Sequence, residues 1–280
     1  MKTAIVTDST SYIPEELRKQ LDIYMIPLSV VMGGKSYREE IDLSTAAFYE
    51  AIKHEDQLPT TTQPPIGEFV KLFETLGKKY DAIISFHLSS GISGTYQGAV
   101  SAAAMVEGVE IYPYDSETSC MAQGFFTLEA AKMAQEGKDV KEILARVREL
   151  HKHLRAYFMV DDLAHLQRGG RLTNAQAFIG SLLKVKPLLH FVDKKIVPFE
   201  KIRTNKKALK RIEDLLGEDV QKALPLQASI IHANREQEAL EWKQELESKF
   251  PQVAFSISYF GPVIGTHLGE GAMGLAWTLK

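Results

Sequence analysis

A two-domain α/β protein is the fold class this sequence predicts. An N-terminal α/β domain with a parallel sheet spans residues 1–152, and a smaller C-terminal α/β domain with a mixed sheet spans residues 153–280. Three observations lead there. Strand-length apolar runs alternate with helix-length amphipathic runs along the chain. Residues 80–116 read as strand, small-residue loop, Ala-rich helix and strand, the crossover that joins parallel strands. A second alternating series opens at AYFMVDD, which sets a boundary near residue 152, unmarked by any Pro/Gly/Ser-rich linker.

Taken in order, residues 2–7 (KTAIVT) form a short buried strand, and Pro14 suits the first turn of a helix running to about Gln20. Residues 22–32 are extended and end in a hairpin turn at Gly33-Gly34. Ser44 caps a helix over 45–54. LPTTTQPP is a stiff polar loop whose Pro64 and Pro65 open the helix IGEFVKLFETLG. YDAIISFHL is a buried strand, SSGISG a loop, TYQGAVSAAAMVEG a helix stopped by Gly108, and VEIYPYDS the next strand. Helices follow over about 117–136 and 139–153, the second capped by Asp139. In the second series, HLQRGGRLTNAQ leads into a helix to about Leu183. PLLHFVDKKIVPFEKIR reads as two strands turning at Asp193-Lys194. NKKALKRIEDLLGE is an amphipathic helix, QASIIHAN a strand, REQEALEWKQELESKF a helix and VAFSISYF a strand. The tail GPVIGTHLGEGAMGLAWTLK is Gly-rich and left unassigned. There is no internal repeat and no low-complexity tract.

Composition narrows the function classes. The 280 residues are 45% apolar and 25% charged, ordinary for a soluble globular protein. A formal net charge of −3 argues against a chain devoted to nucleic acid. Cys120 is the single cysteine, which excludes an internal disulfide and a cysteine-only metal site and suits a reducing compartment. The N-terminus reaches Asp8 too early for a signal peptide, and no apolar run approaches the ~18 residues of a membrane span. The expectation is a cytoplasmic protein without membrane insertion. No HExxH or CxxC occurs, and His151 and His153, two apart on a helix, do not face each other, so no metal site is expected.

In open parallel sheets, ligands bind beyond the carboxyl ends of the strands. Four hydroxyl-rich loops qualify, at residues 8–11, 60–63, 89–95 and 115–116. The loop Ser89-Ser90-Gly91-Ile92-Ser93-Gly94-Thr95 also precedes a helix, where free N–H groups and the dipole favour an anion. Gly91 and Gly94 permit close backbone approach. The plain structural alternative is that Ser93 or Thr95 is only a helix cap. No Lys or Arg lies within 88–97, which suits a carboxylate better than a phosphate. Residue types and spacing thus reach a small-anion site and no further.

Competing patterns are present. Gly91-Ile92-Ser93-Gly94-Thr95 misses the G-x-S-x-G elbow of serine hydrolases at its last residue. Asp115 or Asp161, then His267, would complete a Ser, Asp, His order. A lipid or ester hydrolase using Ser93 is therefore the alternative reading, to be judged on geometry. Gly269-Glu270-Gly271-Ala272-Met273-Gly274 matches G-x-G-x-x-G, but only six residues follow it, so it reads as a tight Gly-rich loop with His267 in it. His87, His165, His190 and His232 read as structural. Arg168 and Arg171 around Gly169-Gly170, and Arg203, Lys206, Lys207, Lys210 and Arg211, read as solvated surface or as a docking site for phosphate or a partner. Without an aromatic platform they do not suggest nucleic acid.

Several of these segments together resemble the successive signatures of the DegV family. They are Thr7-Asp8-Ser9-Thr10, Thr61-Thr62-Gln63-Pro64 and Leu88 through Gln97, then Gln167-Arg168-Gly169-Gly170-Arg171, Lys186-Pro187-Leu188-Leu189, Lys201 through Leu209, and Gly265-Thr266-His267. The match runs in order from residue 3 to about residue 274. The resemblance implies a non-enzymatic protein that buries a long-chain, palmitate-like fatty acid between two α/β domains, with no other cofactor. It implies a carboxylate held by Thr61 and Ser93, with Thr62, the Gly94 N–H and His267 beside it. Many members resemble the binding subunit of a bacterial fatty-acid kinase, which implies a separate ATP-dependent partner that makes an acyl phosphate. Arg171 and Arg203 would then contact the partner or the phosphate. Thr62 stands where Ser is frequent, and Pro65 where Ser is common.

Overall fold

The computed structural model describes residues 2–54, 58–172 and 186–280. The helix expected to end near Leu183 falls on residues outside that set. In the N-terminal half, the chain forms β1 (Thr3–Asp8), α1 (Glu15–Gln20), β2 (Ile23–Ile26), β3 (Ser29–Met32), β4 (Lys35–Arg38), α2 (Thr45–Ala51), β5 (Thr60–Thr62) and α3 (Ile66–Gly77). There follow β6 (Ala82–His87), α4 (Thr95–Ala103), β7 (Glu110–Asp115), α5 (Cys120–Gln135) and α6 (Val140–His153). The C-terminal half has β8 (Arg155–Met159), α7 (Ala164–Arg168), β9 (Lys186–Val192), β10 (Lys195–Ile202), α8 (Asn205–Val220) and β11 (Leu226–His232). It ends with α9 (Glu236–Lys249), β12 (Ala254–Tyr259), α10 (Pro262–Leu268) and β13 (Met273–Leu279).

β2, β1, β6 and β7 form a wholly parallel sheet in that order. Its two central strands are buried along their whole length, because successive side chains enter opposite cores. Ala4, Val6 and Ile83 meet Phe69, Phe73 and Leu76 of α3 and Ala99 of α4. Ile5, Ile84 and Phe86 meet Phe126 and Ala130 of α5 and Ile143 and Val147 of α6. A full capping box starts α6, with Asp139 accepting from Glu142 N at 2.9 Å and Glu142 accepting from Asp139 N at 3.1 Å.

The second sheet is mixed, in the order β10-β9-β8-β13-β11-β12, with β11 and β12 parallel and the other neighbours antiparallel. One face is covered by α8 and α9 through Ile212, Leu216, Trp242 and Leu246. The other face carries Phe158, Leu189, Ile196, Ile231 and Ala276, which join Leu28, Val30, Leu88 and Cys120 from the N-terminal half in one apolar cluster.

The structure corrects several expectations. Residues 60–62, expected as loop, form β5 and pair with β3 in a third, antiparallel sheet, β4-β3-β5, with Thr61 opposite Val30. Three β-branched threonines favour extension, but the ladder comes from a partner some thirty residues away, which no local pattern reveals. The helix expected to reach Gly108 ends at Ala103. The helix expected from 117 begins at Cys120. The unassigned tail contains α10 and β13, the latter inside the mixed sheet between β8 and β11. His267 accordingly sits in the last turn of α10, not in a loop. The Gly-rich turn behind it is tight, as expected: Gly269 and Gly271 have φ of 78° and 90°.

Candidate functional site

A cavity of about 320 Å³ opens between the two large sheets. That is within the ~300–1,000 Å³ of typical small-molecule sites. Most of its wall is apolar. Leu28, Leu88 and Ala122 come from the N-terminal half, and Phe158, Phe191, Ile196, Ile231, Ile264 and Ala276 from the C-terminal half. Polar groups gather at one end. They are Thr61, Thr62 and Gln63 from β5 and the residue after it, Ser93 and Gly94 before α4, His267 from α10, and Arg171 just after α7. The five residues expected to hold a carboxylate thus line one cavity although the chain separates them by as many as 206 positions.

Thr61 Oγ1 lies 2.9 Å from His267 Nε2. Burial, with the Arg171 charge and His165 adding to it, pushes the His267 imidazole down to about 4, so it is neutral at pH 7. Ser93 Oγ lies 2.9 Å from Thr95 Oγ1 and accepts from the Thr95 N–H at 3.3 Å. The Arg171 Nε–H donates to the Ile92 carbonyl at 3.2 Å, and its terminal nitrogen donates to the Gly169 carbonyl. Gly94 stands at the N-cap of α4. A neutral imidazole, two hydroxyls and the first N–H groups of a helix make an end wall able to donate to a carboxylate or carboxylic acid.

Gly91 is needed at close quarters, because the atom it approaches is backbone, whereas Gly94 approaches the end of a side chain that can turn away. A Cβ on Gly91 would lie 2.2 Å from the Lys194 carbonyl oxygen, and one on Gly94 would lie 2.1 Å from Gln63 Oε1. Gly169 is pressed against the His267 ring, where a Cβ would lie 2.4 Å from Nδ1.

Behind the end wall, two buried carboxyl groups, Asp8 and Glu39, organise its supports. Asp8 accepts from the Leu88 N–H at 2.9 Å and from Thr10 Oγ1 at 2.6 Å, and His87 Nδ1 lies 3.2 Å away. Asp8 thereby ties the end of β1 to the start of the loop that carries Ser93. Glu39 accepts from Ser9 Oγ at 2.5 Å, Tyr12 Oη at 2.9 Å and the Val263 N–H at 2.7 Å. Tyr12 Oη in turn accepts from the Ile264 N–H at 3.2 Å. Glu39 and Tyr12 therefore satisfy two orphan donors of α10, the helix that carries His267. No sequence signal pointed to Glu39: it follows an exposed hairpin and reads as surface charge.

Other candidates go elsewhere. Of the four loops chosen by topology, 8–11 is buried under the site and 115–116 lies outside the apolar cavity. Arg203, exposed after β10, does not line it either. Asp115 is engaged by Ser90 and Lys194, and Asp161 by Arg235 and Asn205. His87 is fully buried between Ser85 and Asp8. Among the described residues, no group of His, Cys, Asp and Glu is arranged to hold a metal ion, and no helix is long and apolar enough to cross a membrane.

The sequence model of the family described as "Uncharacterised protein, DegV family" matches residues 2–280. Protein DegV of Bacillus subtilis (strain 168) is 61% identical over 281 residues, covering 100% of both chains. A DegV domain-containing protein of Listeria innocua is 55% identical over 280 residues, covering 100% of this chain and 99% of its own. Among solved structures, the crystal structure of DegV from Bacillus subtilis, described as a fatty acid binding protein, superposes with a TM-score of 0.95 at 60% identity and full coverage of both chains. A Thermus thermophilus DegV family protein, described by its fatty acid binding, superposes with a TM-score of 0.93 at 28% identity, again over 100% of both chains.

Proposed function

The chain belongs to the DegV family, and on that premise we propose that it binds a long-chain fatty acid, palmitate-like in length, in the cavity between its sheets. The carboxylate is held by Thr61 and Ser93, with Thr62, the Gly94 N–H and His267 beside it. The observation that carries this reading is one apolar chamber closed at one end by hydroxyls, a neutral imidazole and a helix N-terminus. Relatives described as fatty-acid-binding share the whole fold and support it. Burying ~14 methylenes at ~0.8 kcal/mol each supplies about 11 kcal/mol before the costs of association. The end wall supplies the hydrogen bonds without which burying a carboxyl would be costly.

The protein acts as a carrier rather than an enzyme, in a cytoplasmic setting that suits its lone, buried thiol. It presents the bound carboxyl to a separate ATP-dependent fatty-acid kinase, which phosphorylates it. Arg171, at the polar end, and Arg203, exposed at the surface, are the contacts for that partner or for the phosphate. The hydrolase reading has less support: Ser93 Oγ pairs with Thr95, and His267 Nε2 pairs with Thr61.

Mass spectrometry of an organic extract of the natively folded protein tests the proposal. A long-chain fatty acid at about one per chain is expected. An empty extract, with no uptake of added palmitate, overturns it. Ser93→Ala is expected to weaken palmitate binding about tenfold or more, the scale of a hydrogen bond to a charged group, with an unchanged circular dichroism spectrum. It is also expected to block acyl-phosphate formation by the partner kinase.

A further inference from the structure

Two short helices, α7 and α10, meet at the polar end of the chamber, and each presses a histidine on a glycine of the other. His267, in the last turn of α10, has its ring against Gly169, the residue after α7. His165, in α7, has its ring against Gly269, the residue after α10, where a Cβ would lie 2.9 Å from Cδ2 and 3.1 Å from Nε2. A methyl group on either glycine would displace the ring that faces it.

Both contacts run through His165. Its carbonyl accepts from the Gly169 N–H at 2.9 Å, which closes the end of α7 and sets Gly169 under the His267 ring. Its imidazole bears on Gly269, whose N–H donates to the Gly265 carbonyl at 2.8 Å and caps α10. The histidine at 267 needs such support. Its side chain turns about two bonds, so its Nε2 stays 2.9 Å from Thr61 Oγ1 only where packing limits the ring. α10 has seven residues, too few to hold its shape by its own hydrogen bonds. Glu39 and Tyr12 tie its start, and His165 bears on its other end.

We propose that His165 is a positioning residue for the head-group site: packed on Gly269, it fixes the end of α10 and holds the His267 ring against Thr61. The inference rests on the fatty-acid reading and adds a residue on which that site depends. His165 does not line the chamber, so it acts through His267 and not on the ligand. The competing route is Leu166, the next residue of α7, which does line the chamber and would touch the acyl chain. A double-mutant cycle separates the two, because an effect routed through His267 disappears once that ring is gone.

Palmitate affinity is measured for the intact protein, for His165→Ala, for His267→Ala and for the double variant. His165→Gln enters the same cycle, so that misfolding of the alanine variant leaves the question answerable. Substitution of His165 is expected to weaken binding about three- to tenfold in the intact background and less than about twofold beside His267→Ala. In the single variants, the His267 titration followed by NMR is expected to move up from about 4 toward the ordinary ~6.5, because a loosened ring regains water. An equal loss of affinity in both backgrounds overturns the positioning role, since the effect then bypasses His267. Unchanged affinity and an unchanged His267 titration in the single variants overturn it too. Failure of the intact protein to bind palmitate overturns the fatty-acid reading itself and the role of His165 with it.

Discussion

Glu39 is wholly buried, and two opposing effects decide its charge. Three donors favour the carboxylate, while loss of water favours the acid; burial dominates and raises its pKa from 4.5 to about 8. An acid whose pKa is raised by folding binds its proton in the folded state where the unfolded chain has already lost it. Its contribution to stability is complete below the unfolded value and is lost as pH rises through the folded one. Urea unfolding at successive pH values is therefore expected to show wild-type stability falling between about pH 5 and 8, with a flatter profile for Glu39→Gln. Equal slopes would show that Glu39 does not bind this proton. The consequence reaches the site through α10, whose Val263 and Ile264 N–H groups depend on Glu39 and Tyr12. Thr61, Ser93 and His267 were legible as residue types and as family signatures. Glu39 was not, because its significance lies in burial, which is a property of the packed chain.

Elements differ in how far their causes are local. α6 carries its own start signal in Asp139 and Glu142, and the turn between β9 and β10 was legible at Asp193-Lys194, which adopt φ of 47° and 70°. β5 and β13 were not legible. β5 needs the edge of β3, and β13 follows a Gly-rich turn and pairs with β8 and β11, which lie far off in sequence. The loop before α4 depends on a remote element as well: Ser89 Oγ donates to the Lys194 carbonyl at 2.6 Å, and Gly91 packs on that same oxygen. Gly91→Ala is expected to push the loop and the β9–β10 turn apart, at a cost of about 1–3 kcal/mol, and to loosen retention of the fatty acid. Thermal unfolding and a palmitate uptake assay read both effects. Gly67→Ala in α3, where nothing lies within 4 Å of the added carbon, serves as the control and is expected to be neutral or stabilising. A Gly91 variant that behaves like this control would sink the coupling.

At the scale of the whole molecule, the cavity lies in the joint between two halves, so a ligand bound there contributes to the stability of the fold. A ligand that binds only the folded chain stabilises it by about 2.7 kcal/mol at one hundred times its dissociation constant. Delipidated protein is accordingly expected to melt about 5–10 °C lower than protein saturated with its preferred fatty acid. Calorimetry before and after delipidation measures the difference, and coincident transitions would argue against the cavity as the binding site. The sequence by itself determined the α/β class, the parallel sheet around β1 and β6, and the hydroxyl-rich loop before α4. Those features follow from short-range periodicity and turn chemistry. Only the tertiary structure decided that Thr61, Ser93 and His267 meet, that α10 carries the histidine, and that an apolar chamber lies beside them. Each of these depends on contacts between segments far apart in the chain, where burial and pairing are set by the packing of the two halves and leave no periodic trace in either one.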